Sequence, residues 1–530
     1  MSTASVTSYR STVPPARDRF AQLLRAEWTK FRTIRGWLLA AFGAAVLIVL
    51  FGYLGTFRHQ SGLCTGPSLG SCQAAQPHVP IGPGGEAVTD TYYSVHRNLT
   101  GDGSITVRVG SLTGHVQGGN GNSASVADMA GTSGRLQPWA KAGLILSASP
   151  KAGSAYAAVM LTGAHGVRLQ YDYTGDIAGP ELSGGTARWL RLTRSGAMVT
   201  GYESADATTW IRVGSVHLAH LPQNVQAGLF VTSPPTSPAQ QALAPDAGGK
   251  ATGATATFTK PVLAGTWLSG AWTARNVGAD GQVPTLSSVG YRRSGPGFEI
   301  TGSGDIAPAI GLPAAYTDKN ALTGVFIGLI VLIVLGVTFI TSEYRRGLIH
   351  TTLTATPDRR RVLIAKALVI ATVAFVAGAA ASAVSIPLGN HILRTNGNYV
   401  YPAATLTQLR VMIGTGALVA LAAVLAVALG TVLRRGAAAV TATIVLIVLP
   451  YMLAFAAALP AGVSTWLLRI TPAAGFAIQQ TLPQYHQVAS LYTPAEGFYP
   501  LAPGAGLAVL AAYTLAALLL ANRVLRTRDT

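Results

Sequence analysis

Residues 321–347, ALTGVFIGLIVLIVLGVTFITSEYRRG, join a long apolar run to a cluster of charged residues. The part from 321 to 341 carries no charged side chain, and about 20 residues of this kind suffice to cross ~30 Å of hydrocarbon as a helix. Five further segments are similarly apolar: 37–57, 362–388, 411–432, 437–459 and 505–522. The sequence therefore predicts a polytopic α-helical membrane protein with six spans.

The composition of the 530 residues supports this prediction. Only 11% of them are charged, whereas roughly 25% is usual in soluble proteins, and the mean hydropathy is +0.38. We interpret 37–57 as an uncleaved first span, because it has no small-residue cleavage site and follows a basic region that is too long for a signal peptide.

Lysine and arginine are concentrated in four regions outside the spans. These are the N-terminal segment, the loop 342–361, the turn at Arg434 and Arg435, and the tail after residue 522. Because cytoplasmic connections carry an excess of these residues, both termini and the loop are predicted to lie in the cytoplasm, and residues 58–320 outside the cell membrane. The net charge of +18 then reflects topology and attraction to anionic lipid headgroups. No motif points to nucleic acid.

The extracellular segment 58–320 shows the period-2 alternation of half-buried strands, as in GVRLQYDY (166–173) and RWLRLTR (188–194). Many short strands of this kind predict a large all-β, jelly-roll-like sandwich. Cys64 and Cys72, the only cysteines, follow the first span and form a candidate disulfide in an oxidising exterior. Two thiols without a nearby histidine pair make a poor zinc site, so no metal is predicted.

The N-terminal region divides into two parts. Residues 1–16 are rich in Ser, Thr and Pro, which predicts a disordered cytoplasmic tail. Residues 17–36, RDRFAQLLRAEWTKFRTIRG, alternate apolar and basic side chains at helical spacing. This pattern predicts an amphipathic helix that lies in the membrane interface and leads into the first span, 37–57.

Sequence motifs for several kinds of function are absent. The sequence contains no GxxxxGK[ST] phosphate-binding loop, and the six predicted spans contain no Asp or Glu, which disfavours ion-coupled carriers. The glutamates of 58–320 are scattered singly rather than paired as a glycosidase requires, and no GxSxG elbow is present. If the protein moves a substrate, a partner is expected to supply the energy.

The cytoplasmic loop 342–361, SEYRRGLIHTTLTATPDRRR, follows the second span, 321–341. Ser342 before Glu343 predicts the start of a short helix, and Gly347 permits a sharp bend or a close approach. One interpretation is a basic anchor whose arginines reach lipid phosphates. The other is a docking surface for a soluble partner, which also accounts for the acidic residue at the membrane exit.

Two motifs, LLRAEWTKFRTIRGW (23–37) and FITSEYRRGLIHTTLTATPDRRRVLIAKAL (339–368), resemble the type-2 ABC exporter permeases, particularly the long actinobacterial members. The resemblance implies an elbow helix before six spans and a coupling helix that docks on a separate ATPase subunit. It also implies a re-entrant segment between spans five and six, here 463–482, for which an interfacial outer helix is the alternative. The elbow helix falls on Arg25, Glu27, Trp28, Lys30 and Phe31, and the coupling segment on Glu343, Tyr344, Arg345, Arg346 and Gly347.

The outer domain departs from the short connection that is frequent in that family. Residues 139–176 and 188–234 look like a concanavalin A-like lectin/glucanase sandwich. That likeness implies a candidate glycan site on a concave sheet, at Arg168, Gln170, Asp172, Trp189 and Trp210. Any of the five could instead be a core or edge residue, and core positions are favoured for both tryptophans.

Together these observations predict the permease subunit of an ATP-binding-cassette exporter. It would work in membrane lipid with a second permease copy, as a homodimer or heterodimer, and with an ATPase subunit that binds ATP and Mg²⁺. No cofactor is expected in this chain. The alternative is a membrane-anchored protein that binds or senses extracellular glycan without transporting anything.

Overall fold

The structure is a computed structural model. It describes residues 20–57, 79–116, 136–180, 188–219, 221–236, 251–278, 285–286, 288–310, 315–345, 358–456, 459–488, 493–495 and 497–528. The predicted tail 1–16 and both cysteines, Cys64 and Cys72, lie outside these residues.

Eight α-helices are described. They are α1 (Phe20–Thr33), α2 (Arg35–Phe57), α3 (Val325–Arg345), α4 (Arg359–Thr395), α5 (Thr405–Leu433), α6 (Gly436–Phe455), α7 (Ala461–Ile470) and α8 (Pro503–Arg528). Two 3-10 helices, Asp318–Leu322 and Pro472–Gln479, precede α3 and follow α7. Six of the α-helices, α2 to α6 and α8, are long and apolar enough to cross a membrane, which confirms the predicted number of spans.

The ends of these helices differ from the predicted bounds. Helix α3 continues through Ser342 and Glu343 to Arg345, so the predicted helix start at Ser342 is wrong and Glu343 lies in the last turn of a span. Helix α4 runs on past residue 388 to Thr395 with Pro387 inside it. Polar residues can continue the backbone hydrogen bonding of a helix beyond its apolar part. Hydropathy therefore places the end of a span earlier than the backbone does.

The strand-rich part of the chain between α2 and α3, which we call the outer domain after its predicted location, consists of antiparallel strands. Their bounds are β1 (Val88–Asp90), β2 (Tyr92–Val116), β3 (Lys141–Ser147), β4 (Tyr156–Thr162), β5 (Val167–Tyr171), β6 (Gly175–Ala178), β7 (Arg188–Ser195), β8 (Met198–Ser204), β9 (Ile211–His217), β10 (Asn224–Thr232), β11 (Thr252–Phe258), β12 (Val262–Trp267), β13 (Thr273–Val277), β14 (Gly290–Ser294), β15 (Gly297–Ser303) and β16 (Ile306–Pro308). Two short strands, β17 (Ala315–Tyr316) and β18 (Tyr399–Val400), pair with each other in parallel.

The long strand β2 is shared by the two layers of the sandwich. Its first half pairs with β10, which continues through β3, β4, β5 and β6. Its second half pairs with β7, which continues through β8 and β9. Gly201 on β8 and Gly214 on β9 come so close to Leu169 on β5 that added Cβ atoms would lie 3.1 and 3.0 Å from its methyl groups. The two layers therefore meet face to face around an apolar core, which confirms the predicted β-sandwich.

A second apolar cluster covers the outer face of β3 and β4. Ile145 and Met160 pack there with Tyr92, Phe230 and Tyr173. Beside it Lys141 on β3 is fully buried, and its Nζ donates to Asp305 Oδ1 at 2.7 Å and to the Ile306 carbonyl at 2.6 Å. Strand β3, which is buried on both faces, therefore begins with a lysine whose ammonium group donates to two acceptors.

The Asp90 carboxylate lies in the same layer and is also buried. Its Oδ2 accepts hydrogen bonds from Tyr173 Oη at 2.9 Å and from the Gly153 amide at 3.0 Å. Burial outweighs these two bonds and raises the pKa of Asp90 from its ordinary value to about 6. As the pH rises, the unfolded chain therefore releases the Asp90 proton first, and the folded state releases it only at a higher pH.

This shift predicts a pH dependence of stability. Because the folded pKa lies above the unfolded one, the favourable contribution of Asp90 is present below about pH 4 and is lost as the pH rises through about 6. Thermal unfolding of the wild type and of Asp90→Asn between pH 5 and pH 7.5 should show a steeper loss of stability with pH in the wild type. Parallel curves for the two proteins would remove Asp90 as the cause.

The outer domain is attached to the helices by more than its two chain connections. Tyr399 Oη donates to the Gly85 carbonyl at 2.9 Å, and Gln487 Nε2 donates to the Tyr173 and Thr174 carbonyls at 3.2 Å. The apolar residues of this junction are Ala87, Ala309, Tyr401, Leu482 and Phe498. The segment before β1 and the loops after α4 and α7 are thereby packed together.

The segment 463–482 includes most of α7 and the following 3-10 helix. Helix α7 exposes Val463, Trp466 and Ile470, whereas the whole 3-10 helix is buried. Phe476 in that turn packs against Phe326 on α3 and Tyr451 on α6, with ring centroids 4.8 and 4.4 Å apart. The chain thus returns into the bundle between α6 and α8, and its re-entrant character in a bilayer stays a prediction.

Candidate functional site

Helices α1, α3 and α4 converge at the end of the bundle where α3 ends and α4 begins. Helix α1 brings Glu27 and Lys30 to this point, spaced so that both lie on one helix face. The last turn of α3 brings Glu343, and the second turn of α4 brings Lys366. We call these four residues the ion cluster.

Lys366 is the centre of the ion cluster. Its Nζ donates to Glu27 Oε2 at 2.7 Å and to Glu343 Oε1 at 2.6 Å, and Lys30 also pairs with Glu343 Oε1. Lys366 is 0% exposed, Glu343 1% and Glu27 4%, whereas the Lys30 side chain is 30% exposed. Two carboxylates and two ammonium groups balance, so the cluster has no net charge although most of it is shielded from water.

Breaking this balance is expected to be costly. Removing one partner of a buried ion pair typically costs about 3–5 kcal/mol, because the remaining charge stays desolvated and unpaired. Glu343 Oε2 is buried and accepts no hydrogen bond from the residues that the structure describes. Glu343 therefore depends on its other oxygen, where both lysines meet, and the ion cluster holds α1 against the ends of two spans.

Aromatic packing reinforces the attachment of α1. Phe31 is fully buried, with ring centroids 5.9 Å from both Trp37 on α2 and Phe339 on α3. Lys366 Nζ lies 5.1 Å from the centroid of the Phe339 ring, an arrangement that favours the cation. On the opposite side of α1, Trp28 is 41% exposed and Arg25 is exposed. One face of α1 is fixed to the bundle and the other faces outwards.

Two further contacts join neighbouring elements at the same end of the bundle. The Arg434 guanidinium, in the turn between α5 and α6, lies 5.2 Å from the centre of the Tyr344 ring. Arg359 at the start of α4 donates from Nη1 to the Leu525 carbonyl of α8 at 2.5 Å, where the last carbonyls of a helix lack partners within the helix. Through these contacts, a displacement of α1 or of the end of α3 would also displace α4, the turn between α5 and α6, and α8.

The structure separates the predicted coupling residues by role. Glu27 and Phe31 are buried contacts, Arg25 and Trp28 are exposed, and Lys30 bridges the two environments. Glu343 faces inwards and Tyr344 is half-buried. Arg345 is the last residue of α3, whereas Arg346 and Gly347 lie outside the described residues.

Lys366 was missed by the sequence reasoning. The available signal was its position as the one charged residue inside an apolar segment, since a charge at that depth needs a partner. The sequence contained no indication of which acidic residue it would meet.

The five predicted glycan-binding residues fall on two outer faces of the sandwich. On β5, Gln170 donates to Asp176 at 3.0 Å and Arg168 lies 3.3 Å from the same carboxylate, while Asp172 accepts from the Tyr156 amide. Trp189 lies on β7 and Trp210 just before β9, in the other layer. The structure therefore brings Arg168 and Gln170 together and does not join them to the tryptophans.

Among the described residues no group of three or more His, Cys, Asp or Glu side chains could hold a metal ion. The strongest concentration of buried charge at the helix ends is the ion cluster, whose geometry suits mechanical connection between helices rather than covalent chemistry.

Comparison with known proteins bears on the helical part and most of the outer domain. A family model described as ABC-2 family transporter protein matches residues 157–529. The comparison with curated proteins finds no match. Among solved structures, a functionally unknown protein from Saccharomyces cerevisiae is 14% identical, with 33% of this chain and 74% of that chain covered and a TM-score of 0.18. A mutant GH43 protein from Bacillus licheniformis is 13% identical, with coverages of 31% and 28% and a TM-score of 0.19.

Proposed function

The chain belongs to the ABC-2 family of transporter proteins, and we propose that it is the membrane-spanning subunit of an exporter driven by a separate ATPase. The observation that carries this proposal is the ion cluster, which fixes one face of α1 to the span ends and leaves the other face available. Family membership also disfavours the alternative of a glycan-binding protein that transports nothing.

In this proposal the end of the bundle that carries α1 faces the cytoplasm. Two ATPase subunits bind ATP and Mg²⁺ beneath a pair of permease subunits and press on the exposed face of α1 and on the loop between α3 and α4. Lys366 passes this displacement to α3 and α4 together, because it is bonded to Glu343 and to Glu27 at once. Both spans then tilt as one body, and the path for the substrate opens towards the outer domain.

The exposed face of α1 supplies the test. Arg25→Glu with Trp28→Ala should abolish co-purification of an ATP-binding subunit in mild detergent, because both side chains point away from the bundle. Trp28 stacks on Phe31, but folding should be retained, since neither substituted residue belongs to the ion cluster and Phe31 keeps its contacts with Trp37 and Phe339. Arg469→Glu is the matched control: it makes the same charge change at an exposed arginine on α7, at the opposite end of the bundle. Isolation of the wild-type chain without an ATPase, or loss of the ATPase in both variants, would contradict the proposal.

A further inference from the structure

The chain passes from the outer domain into α3 through the 3-10 helix Asp318–Leu322. This short helix is wedged between α2 and α4. An added Cβ at Gly52 on α2 would lie 2.4 Å from the Ala321 carbonyl oxygen, and one at Gly389 on α4 would lie 2.5 Å from the Ala321 Cβ. The backbone of the 3-10 helix therefore lies directly against both spans.

Asp318 and Asn390 on α4 form a buried pair at this contact. Asp318 is 1% exposed and Asn390 is 6% exposed, and Asn390 Nδ2 donates to Asp318 Oδ1 at 2.6 Å. The other oxygen of each side chain, Asp318 Oδ2 and Asn390 Oδ1, is also buried and accepts no hydrogen bond from the residues that the structure describes. One pair of side chains thus contains two buried acceptors without a donor, and each such acceptor costs free energy.

A single proton on Asp318 would satisfy both oxygens. A protonated carboxyl group has a hydroxyl donor and a carbonyl acceptor, and an amide has an N–H donor and a carbonyl acceptor. The observed bond already joins the amide N–H of Asn390 to Oδ1 of Asp318. A proton on Oδ2 can be donated to Asn390 Oδ1, and the two groups then form a ring closed by two hydrogen bonds.

The polar groups around Asp318 do not replace this proton. The adjacent Lys319 donates to the Pro494 carbonyl, and the apolar part of α2 contributes no charged side chain. Arg394 near the end of α4 and Gln408 on α5 interact with the carboxyl group, but Oδ2 accepts no hydrogen bond from either. Arg394 is exposed, so water screens its charge.

We propose that Asp318 binds a proton and that its ring with Asn390 is a proton-dependent latch between the 3-10 helix and α4. In the protonated form, two hydrogen bonds hold the latch closed. Loss of the proton to water leaves a carboxylate whose Oδ2 faces no donor, and the carboxylate then turns towards water on the side of Gln408, which is half-buried. The O–H bond of the carboxyl group is the one covalent bond that forms or breaks.

The latch acts where the outer domain joins the spans. Just before Asp318, Tyr316 pairs with Val400 in the short parallel strands β17 and β18, and the Tyr401 amide donates to the Tyr316 carbonyl at 2.9 Å. Opening of the latch would leave this pairing and apolar packing to hold the connection. Acid on the side of the outer domain therefore favours the conformation described above, whether or not the chain works with an ATPase.

Asp318→Asn is the decisive variant, because an amide reproduces the protonated acid. Its oxygen can accept from Asn390 Nδ2 and its nitrogen can donate to Asn390 Oδ1, so both hydrogen bonds form at every pH. Amide hydrogen exchange of residues 315–323 is measured on the full chain in mild detergent at about pH 6 and about pH 9, a range in which buried carboxyl groups titrate. After correction for intrinsic rates, the wild type should exchange about tenfold faster at the higher pH, as expected for loss of one strong hydrogen bond. Asp318→Asn should show no such change.

Asp358→Asn is the matched control. Asp358 is half exposed and caps α4, a role that an amide also performs, so this variant should keep the pH dependence of the wild type. Infrared difference spectra test the proton itself. At about pH 6, the wild type minus Asp318→Asn should show a carboxylic acid band, whereas the wild type minus Asp358→Asn should show a carboxylate band. Asp90, with a pKa of about 6, contributes equally to all three proteins and cancels.

Several results would overturn the latch. Absence of the carboxylic acid band would show that a water molecule, rather than a proton, satisfies the two oxygens. Equal pH dependence of exchange in the wild type and in Asp318→Asn would assign the effect to another group. Failure of Asp318→Asn to fold would contradict the two hydrogen bonds it should retain, and exchange in the wild type that does not change with pH would refute the latch without any variant.

Discussion

Replacing Lys366 with methionine is expected to release α1 from the helix bundle. The substitution retains most of the side-chain volume but leaves Glu27 buried without its cation and Glu343 with Lys30 alone. Loss of one partner from a buried ion pair costs about 3–5 kcal/mol, a large part of the ~5–15 kcal/mol that stabilises a typical domain. Thermal unfolding in mild detergent should therefore shift strongly downwards, and trypsin should cleave within α1.

The matched control is Arg360→Met, which removes a cation from an exposed position in the first turn of the same helix, α4. It should leave both the unfolding temperature and the trypsin pattern unchanged. A triple variant, Glu27→Gln with Glu343→Gln and Lys366→Met, should recover much of the stability, because no buried charge is then left unpaired.

The triple variant also separates stability from coupling. If the ion cluster transmits displacement from α1, an ATPase assembled with the stable triple variant should still respond poorly to substrate in its rate of ATP hydrolysis. Full transport by this variant would reduce the ion cluster to a structural element. An unchanged unfolding temperature in Lys366→Met would contradict the contacts themselves.

Replacing Lys141 with methionine is expected to unfold the outer domain while the helices remain intact. Lys141 is fully buried on β3, between two apolar clusters, and its ammonium satisfies both Asp305 and the Ile306 carbonyl. Its loss leaves a desolvated carboxylate and an unpaired carbonyl, again about 3–5 kcal/mol. Limited proteolysis should cut within strands β3 to β10 in the variant and spare these strands in the wild type.

Lys151→Met provides the comparison, because Lys151 is exposed in the turn between β3 and β4 and its side chain should be dispensable. Adding Asp305→Asn to Lys141→Met should restore part of the resistance to protease, since the residual charge is removed. If Lys141→Met resisted protease as well as the wild type, the buried pair would contribute little to this domain.

The sequence predicted the six spans because each contains about twenty consecutive apolar residues, a signal that survives without any knowledge of packing. The strands were predicted for a similar reason: the alternation in 166–173 and 188–194 depends only on which side of a sheet is buried. The exact ends could not be predicted, because α3 and α4 extend through charged residues that carry no hydropathy signal.

The site was only partly predictable. Amphipathic spacing identified α1, and a resemblance singled out Glu343, but their connection runs through Lys366, which is 339 residues from Glu27 and 23 from Glu343. Local patterns cannot encode a contact over such separations. For the same reason the glycan-binding candidates were divided between two faces: alternation places a residue on a face of its own strand and does not say which layer that strand joins.

The junction between the sandwich and the helices bears on how the chain can be re-engineered. The outer segment enters after α2 and leaves before α3, which on a linear map resembles an insertion that could be excised. In space, Tyr401, Leu482 and Phe498 from the helical part complete a shared apolar core with Ala87 and Ala309. Excision would leave these three apolar side chains facing water, so the sandwich is a structural component of the transporter rather than a detachable module.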